Sequence, residues 1–338
     1  MAKFTDIFED VTKQGTKIPT NLYLETGMYP IIDQGQSQVA GYTNETEGVF
    51  TNIPAIIFGD HTRIIKYVDA PCFLGADGVK LLKAKDPTAN YKYLYYALCN
   101  ADIPNTGYNR HFKWLKEIEI PEYSTEEQNS VVSQLETIDV LISLRKQQLS
   151  KFDELVKSRF IEMFGDPIRN TQNRSTTDFI NVVKMQRGFD LPVQDRQQDG
   201  DIPVFGSNGA LDRHNVAKVQ GGGVITGRSG TIGKVYYTEG DYWPLNTSLF
   251  SVDTHGNNII YLAYLLQMYD LSRFTEGTGV PTLNRNKFHN KPIIDVPLSE
   301  QELFASFVEQ TDKSKFEIQK SLEKLETLKK ALMQKYFG

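Results

Sequence analysis

The feature that most restricts the fold of this chain is an internal duplication. When the sequence is shifted by about 170 residues it matches itself, and IIFGDHTRIIKYVD at residues 56–69 lies over VITGRSGTIGKVYY at residues 224–237. Gly59 then aligns with Gly227, and shorter stretches on either side correspond in the same order. A repeat of this kind predicts two copies of one folded unit rather than a single large domain.

Each copy ends in a long segment without Gly or Pro, at residues 128–164 and 301–337. Apolar residues recur there at alternating spacings of three and four, which predicts an amphipathic helix. The stripe of the first helix comprises Leu135, Ile138, Ile142, Leu149, Phe152, Val156 and Met163, with Arg145 and Arg159 as its polar members. The stripe of the second comprises Phe304, Val308, Thr311, Ile318, Leu322, Leu325 and Leu332. The simplest way to bury both stripes is to pair the two helices as an antiparallel coiled coil.

Two further patterns belong to these helices. Their starts carry capping boxes, Ser124 with Glu127 and Ser299 with Glu302. Additional apolar residues lie off the stripe, where they either widen the core between the helices or form a docking face for partners: Leu141, Leu144, Leu155, Phe160, Phe307 and Leu328.

The parts before each helix are rich in Gly, Asn, Thr, Tyr and β-branched residues in short runs, with one short helix predicted near Tyr93 and one near Tyr261. This composition is typical of irregular, mostly-β domains. The predicted fold is of the α+β class, with two similar mostly-β domains and two long antiparallel helices that form a coiled-coil spacer with pseudo-two-fold symmetry. The boundaries are residues 1–124 and 166–298 for the domains, and 125–165 and 299–338 for the helices.

The glycine-rich stretch 224–237 is not the phosphate loop of a nucleotide-binding protein. Such a loop has four residues between its first Gly and the Gly-Lys pair, Ser or Thr after the Lys, and a helix following. Here five residues separate Gly227 from Gly233 and Lys234, and Val235 follows. The flanking β-branched and aromatic residues predict a β-hairpin instead.

Composition limits the other classes of function. Hydrophobic residues make up 40% and charged residues 23% of the chain, with no apolar run long enough for a membrane span and no signal peptide. We therefore expect a cytoplasmic protein. Cys72 and Cys99 lack metal-ligand spacing and are expected to be buried apolar residues. Because the net charge is -5, any contact with DNA has to be local or shared with a more basic partner.

Helix length suggests a function for the duplication. A helix of 37 residues spans about 55 Å, whereas one turn of DNA measures about 34 Å. Two similar domains held apart by such helices suit a ligand that is contacted equivalently at two places.

The chain resembles the DNA specificity subunit of type I restriction-modification systems over its whole length. The motifs that carry the resemblance are RGFDLPVQDRQQDGDIPVFGSNG at 187–209, VITGRSGTIG at 224–233, FGDHTRIIKYVDAPCFLGADGVKLLKA at 58–84 and TGVPTLNRNKFHNKPIIDVPLSEQ at 278–301. The resemblance implies two target recognition domains, each binding half of a split site in double-stranded DNA. It also implies spacer helices that bind methyltransferase subunits and set the gap between the two halves of the DNA site.

The resemblance implies a chain that confers sequence choice and does not catalyse. S-adenosylmethionine would then be used by the methyltransferase (modification) subunits, and ATP with magnesium by a restriction-translocase subunit where one joins, with no cofactor in this chain and no membrane partner. The sequence agrees, since it contains no Asp-Pro-Pro-Tyr or Asn-Pro-Pro-Tyr motif, no nucleotide loop and no metal cluster.

Candidate DNA contacts are loop residues whose side chains donate or accept hydrogen bonds. In the second domain they are Arg187, Ser207, Asn208, Arg213, His214, Arg228, Ser229, Asn284, Arg285 and Lys287. In the first they are Gln34, Gln36, Tyr42, Asn44, His61, Arg63, Asn109, Arg110 and Lys113. The aligned loops carry different residues in the two halves, as recognition of two unlike half-sites requires.

Two other interpretations stay open on the sequence alone. A structural scaffold that bridges protein partners would show no sequence-selective DNA binding even with its partners present. A divergent DNA methyltransferase or nuclease would bind S-adenosylmethionine or modify DNA as the purified chain.

The length of the two helices is expected to set the gap between the half-sites. Insertion of one heptad into both helices lengthens each by about 10 Å, so the methylated site should acquire a wider gap between unchanged halves. Sequencing of methylated adenines in cells that carry the lengthened chain measures this gap directly. An unchanged gap would show that helix length does not set it.

Overall fold

The computed structural model describes residues 1–75, 78–277 and 281–338. The chain divides into two compact units: a first unit of Met1–Arg145 with Ser321–Gly338, and a second unit of Lys146–Lys320. Short parts of two motifs quoted above, at residues 76–77 and 278–280, lie outside the described residues.

The first unit is built from short strands and three short helices. The strands are β1 (Ala2–Lys3), β2 (Phe8–Asp10), β3 (Tyr29–Ile32), β4 (Gly41–Thr43), β5 (Ala55–Gly59), β6 (Ile65–Val68), β7 (Phe73–Leu74), β8 (Val79–Ala84) and β9 (Glu119–Ile120). The helices are α1 (Phe4–Ile7), α2 (Tyr91–Cys99) and α3 (Phe112–Leu115). Strands form a four-stranded sheet in the order β2-β8-β5-β6, a three-stranded sheet in the order β4-β3-β7, and a β1-β9 pair.

Two 40-residue helices extend from the strand-rich parts, α4 (Thr125–Phe164) and α7 (Leu298–Phe337). Between them the second unit contains α5 (Phe179–Val182), α6 (Ile259–Tyr269) and the strands β10 (Thr176–Asp178), β11 (Lys184–Arg187), β12 (Ile202–Gly206), β13 (Gly209–His214), β14 (Gly223–Gly227), β15 (Val235–Thr238), β16 (Trp243–Pro244), β17 (Ser248–Asp253), β18 (Thr275–Glu276), β19 (Thr282–Leu283) and β20 (Pro292–Ile294).

The strand order of the second unit repeats that of the first. Its four-stranded sheet runs β11-β17-β14-β15, its three-stranded sheet β13-β12-β16, and β10 pairs with β20. In each three-stranded sheet the central strand pairs antiparallel on one side and parallel on the other. The α+β class and the duplication are therefore confirmed, and the pair β18-β19 is an addition to the second unit.

The predicted hairpin is also confirmed. β14 and β15 pair antiparallel from Gly223 opposite Thr238 to Thr226 opposite Val235. The corresponding strands β5 and β6 pair in the same way, from Ala55 opposite Val68 to Phe58 opposite Ile65. The glycine-rich loop therefore joins two strands rather than a strand and a helix, which is why it does not have the anion-binding helix start of a nucleotide loop.

Within each unit, segments of α4 and α7 run antiparallel. In the first unit Asp139 Oδ1 lies 2.5 Å from Lys329 Nζ, and the hydroxyl of Tyr123, just before α4, donates to the carbonyl of Tyr336 near the end of α7. In the second unit Lys315 Nζ lies 2.6 Å from Asp153 Oδ1. All predicted stripe residues of both helices are buried or half-buried.

The apolar residues off the stripe divide between the two expected roles. Phe160 is fully buried in the core of the second unit, and Phe307 is packed against that core. The other four, Leu141, Leu144, Leu155 and Leu328, are exposed.

The two helix starts differ. Ser124 and Glu127 form the expected capping box, since the backbone N–H of each residue donates to the side chain of the other. The second capping box is wrong, because α7 begins at Leu298 and Ser299 therefore lies inside its first turn. The buried Gln301 is the polar anchor there: its amide donates to the carbonyl of Val296 and accepts from the backbone of Asn258.

The core of the first unit lies between the four-stranded sheet and α2. Tyr93 and Leu98 pack there with Ile56, Phe58 and Leu82. Cys72 is buried as expected, and burial raises the pKa of its thiol to about 11. The expectation of burial is wrong for Cys99, the last residue of α2, which is exposed. Among the helices of the described residues, none is long and apolar enough to cross a membrane.

The contact between α4 and α7 in the second unit predicts a large stability effect. Phe304 is fully buried, with ring centroids of Phe160, Phe164 and Tyr264 5.4 to 5.6 Å away. Phe304→Ala should lower the free energy of unfolding by about 3–5 kcal/mol through lost burial and a cavity. Urea denaturation measures the change, with Phe316→Ala on the exposed side of α7 as the matched control. An equal effect of the two substitutions would contradict the packing.

Candidate nucleic-acid interface

We call β5 in the first unit and β14 in the second, each an inner strand of its four-stranded sheet, the central strand. In both units the loop after this central strand meets the segment that precedes a buried phenylalanine. In the first unit Asp60 follows β5, and its carbonyl accepts from the N–H of His111 while its carboxylate accepts from the N–H of Phe112, each at 2.8 Å. In the second unit Arg228 follows β14, and its carbonyl accepts from the N–H of Leu283 at 2.8 Å. The duplicated scaffold thus brings together segments about fifty residues apart in sequence.

A glycine ends the central strand in each unit because the loop folds back against it. A Cβ atom at Gly227 would lie 1.7 Å from the carbonyl oxygen of Thr231, which excludes any side chain. At Gly59 it would lie 2.2 Å from Oγ1 of Thr62. The aligned glycines therefore serve close backbone approach, the role that this residue type fills where a Cβ does not fit.

Four predicted contacts of the second unit line one pocket of about 300 Å³: Arg187, Arg228, Asn284 and Arg285. Leu249 and Leu283, both buried, contribute its apolar part. Arg187 ends β11, Arg228 follows β14, and Asn284 precedes the 3-10 turn Arg285–Lys287. Three separate chain segments are needed to form this pocket, so the sequence alone could not group its residues.

The edge of this pocket includes two further candidates. Ser229 pairs with Thr282 across an isolated antiparallel bridge, which holds the loop after β14 against the segment before Arg285. Lys287 forms an ion pair with Glu276 at 2.7 Å, although both side chains are about half exposed. The charge of Lys287 is thus partly compensated inside the protein.

The other candidates of the second unit occupy the two ends of the β12-β13 hairpin. Ser207 and Asn208 form its turn, and Asn208 Oδ1 accepts from Lys234 Nζ at 3.1 Å, next to the loop after β14. Arg213 and His214 lie at the opposite end. Arg213 is exposed, whereas His214 is buried with its ring edge-on to Trp243. The position of His214 favours a packing role.

In the first unit three predicted contacts are brought together. The side-chain oxygen of Gln34 accepts from the N–H of His61 at 3.1 Å, and His61 Nδ1 lies 3.1 Å from the carbonyl oxygen of Asn109. Arg63 adjoins them with a left-handed φ of 61°, and its guanidinium donates to the carbonyl of Ile103. This internal hydrogen bond holds Arg63 against the protein.

The remaining candidates of the first unit are dispersed. Gln36, Arg110 and Lys113 are exposed, and the ammonium of Lys113 lies 4.0 Å from the ring centroid of Trp114. Tyr42 belongs to β4 and pairs with Leu24, while Asn44 accepts from the backbone of Met28. These two residues hold the loop before β3 and are not grouped with His61.

Two residues at this site were missed by the sequence analysis. Tyr108 is 87% exposed and its ring stacks on His61 with centroids 4.6 Å apart and an interplanar angle of 6°. A lone aromatic residue within the turn-forming run NTGYNRH was the available signal. Asp60 was the other, and its alignment with Arg228 across the duplication could have identified it.

The lysines that align across the duplication have different roles. Lys234 is exposed beside Asn208, whereas Lys66 is buried and donates to the carbonyl of Ser37 at 2.6 Å. Burial lowers the pKa of Lys66, and the neighbouring carboxylate of Asp33 opposes that shift. The first unit therefore uses at this position a structural ammonium rather than a surface one.

Two histidines outside the candidate set, His111 and His289, have structural roles. His111 is fully buried and its Nδ1 lies 3.0 Å from the carbonyl oxygen of Asp60. His289 Nε2 accepts from the N–H of Met185, and burial lowers the pKa of this histidine, with Arg285 and Lys184 adding to the shift. Among the described residues, no group of three His, Cys, Asp or Glu side chains could hold a metal ion.

Comparison with known proteins matches the duplicated architecture. A family model for the type I restriction modification DNA specificity domain matches residues 1–152 and again residues 169–330. The specificity subunit of the Escherichia coli type I restriction enzyme EcoR124I/EcoR124II is 34% identical over 79 residues, which are 22% of this chain and 20% of that protein. The chain thus matches about a fifth of the length of this curated relative.

Solved structures share the fold over nearly the whole chain. The S subunit of a type I restriction-modification system from M. genitalium superposes with a TM-score of 0.63 at 18% identity, covering 99% of this chain and 95% of that one. A chain from a structure on complex assembly and conformational transition of the type I restriction-modification system gives 0.59 at 16% identity, with the same coverage of both chains.

The contact of Asp60 with the segment at His111 and Phe112 in the first unit can be tested by substitution. Asp60→Ala leaves the buried N–H of Phe112 without its acceptor, so it should cost about 1–3 kcal/mol of stability and increase hydrogen exchange at His111 and Phe112. Asp60→Asn keeps an acceptor oxygen and should retain most of the protection. Asp69→Ala, at an exposed site of the same unit, is the control. Unchanged exchange in Asp60→Ala would contradict the anchoring role.

Proposed function

Because the chain belongs to the type I restriction-modification DNA specificity family, we propose that it selects a split DNA site, with each unit binding one half through the loop after its central strand. In this role the chain is a non-catalytic specificity subunit. The methyl transfer takes place on a partner that supplies S-adenosylmethionine, and cleavage occurs where a restriction-translocase subunit supplies ATP hydrolysis with magnesium.

The observation that carries this proposal is one scaffold with two sets of side chains. The residue after the central strand is Asp60 in the first unit and Arg228 in the second. The residue four positions before the buried phenylalanine is Tyr108 in the first and Asn284 in the second. Conserved backbone geometry with divergent donors and acceptors is what recognition of two unlike half-sites requires.

Local charge supports DNA as the ligand. The chain as a whole carries a net charge of -5, yet the pocket of the second unit is lined by Arg187, Arg228 and Arg285 against one carboxylate, Glu276. A cluster of cations on an otherwise acidic protein concentrates attraction for a polyanion at one place. Binding should therefore weaken steeply as salt is raised.

The exposed leucines of the helices support the proposed partner. Leu141, Leu144 and Leu328 belong to the first unit and Leu155 to the second, and each is 39 to 49% exposed. Large apolar side chains outside the buried stripe are typical of surfaces that another protein covers. We propose that methyltransferase subunits dock on these helix faces.

The most direct test is sequencing of methylated adenines in cells with and without this gene. A split motif that is methylated only when the gene is present is the expected result. The purified chain with its methyltransferase partner should then retard a duplex that carries this motif in a salt-sensitive manner, and should not retard a duplex with both halves scrambled. Identical methylation in the two strains, with no selective retardation, would refute the proposed function.

A further inference from the structure

Among the described residues, the arginines of the second-unit pocket have no carboxylate partner, unlike four other arginines of that unit. Arg159, Arg169, Arg174 and Arg196 each form an ion pair with Asp or Glu. Within the described residues, the guanidinium groups of Arg187 and Arg285 form no ion pair or hydrogen bond, and that of Arg228 only approaches the carbonyl oxygen of Asn246 at 3.5 Å. Three uncompensated cations at one pocket repel each other unless a ligand supplies acceptors.

The polar groups that the pocket presents are mainly hydrogen-bond donors. Asn284 Oδ1 accepts from the N–H of Asn286, and the amide nitrogen of Asn284 can donate to a ligand. Glu276, the acidic residue of the lining, is engaged by Lys287. The ligand therefore has to offer acceptors at adjacent positions.

Among the base edges in the major groove, guanine alone presents two adjacent acceptors, N7 and O6, and it is the usual partner of a bidentate arginine. Adenine and cytosine each present an amino donor there, which a guanidinium group cannot accept, and the one carboxylate of the lining is engaged by Lys287. Thymine presents a single acceptor beside a methyl group. The guanidinium groups of the pocket therefore favour guanine over the other three bases.

We infer that the half-site bound by the second unit contains a guanine that is recognised by Arg228 and Arg285, and that Arg187 contacts a backbone phosphate. This inference rests on the proposed function and specifies its substrate. Arg228 and Arg285 are half-buried in the pocket that Leu249 and Leu283 also line, so their side chains lie partly against protein. Arg187 is exposed, as suits a contact with the outer backbone.

The aligned position of the first unit provides an internal contrast. Asp60 replaces Arg228 there, and its carboxylate is committed to the N–H of Phe112. The guanine requirement is thus a property of the second unit and not of the shared scaffold.

The test uses the complex of the full chain with its methyltransferase partner and a duplex that carries the methylated motif. Each guanine of the motif is replaced in turn by 7-deazaguanine, which lacks the N7 acceptor. One replacement, in one half-site, should weaken binding about ten-fold or more. Arg228→Ala and Arg285→Ala should lose that sensitivity and bind both duplexes equally, since the group that contacts N7 is gone.

Two variants serve as comparisons. Arg187→Ala should weaken binding to all sequences to a similar degree and lower the salt slope by about one unit, as loss of a phosphate contact does. Arg169→Ala removes the same charge from a residue outside the pocket that pairs with Asp166, and should bind like the parent.

The outcomes separate the alternatives. If Arg228→Ala and Arg285→Ala weaken binding to every sequence equally while 7-deazaguanine has no effect, these arginines bind phosphates and the inference is wrong. The inference is also wrong if both variants keep the parent's sensitivity to 7-deazaguanine in that half-site. A parent complex that selects no DNA sequence would overturn the proposed function itself, whereas selective binding without a guanine dependence overturns this inference alone.

Discussion

Burial of the three-four stripe on α4 and α7 is the interaction on which both units depend. Neither helix can bury its own stripe, so each unit takes a helical segment from a distant part of the chain. Met333 and Phe337, close to the chain's last residue, pack in or against the core of the first unit. Phe160 and Phe164 from α4 complete the core of the second. The ion pairs Asp139–Lys329 and Asp153–Lys315 accompany this packing, the first of them partly buried and the second exposed. An exposed pair contributes little beside the apolar burial.

The duplication retains what the backbone requires and leaves the recognition side chains free to differ. Gly59 and Gly227 are both needed because the following loop returns to within contact of the strand end. The neighbouring residue has no such restriction, so it is a buried carboxylate, Asp60, in one unit and an arginine, Arg228, in the other. A single scaffold can therefore present two chemically different surfaces without any change in strand order.

The acidic overall charge and the basic pocket are compatible because the proposed recognition of DNA is local. Four arginines of the second unit outside the pocket are paired with carboxylates, which weakens the attraction of the rest of that unit for nucleic acid. Three guanidinium groups without a carboxylate partner among the described residues lie together where three chain segments meet. In the proposed function, specific binding has to combine this local attraction with the correct base edge, as selection of one sequence among many demands.

The sequence by itself determined the duplication, the two long helices, their buried stripes and the β-hairpin, because each follows from periodicity or from local residue preference. It could not determine which candidates share a site. Arg187, Arg228 and Arg285 are separated by about forty to sixty residues along the chain, and only the packing of β11, β14 and the Arg285–Lys287 turn brings them to one pocket. Local polarity likewise could not distinguish the buried His214 from the exposed Tyr108, since burial depends on what the rest of the chain places against each residue.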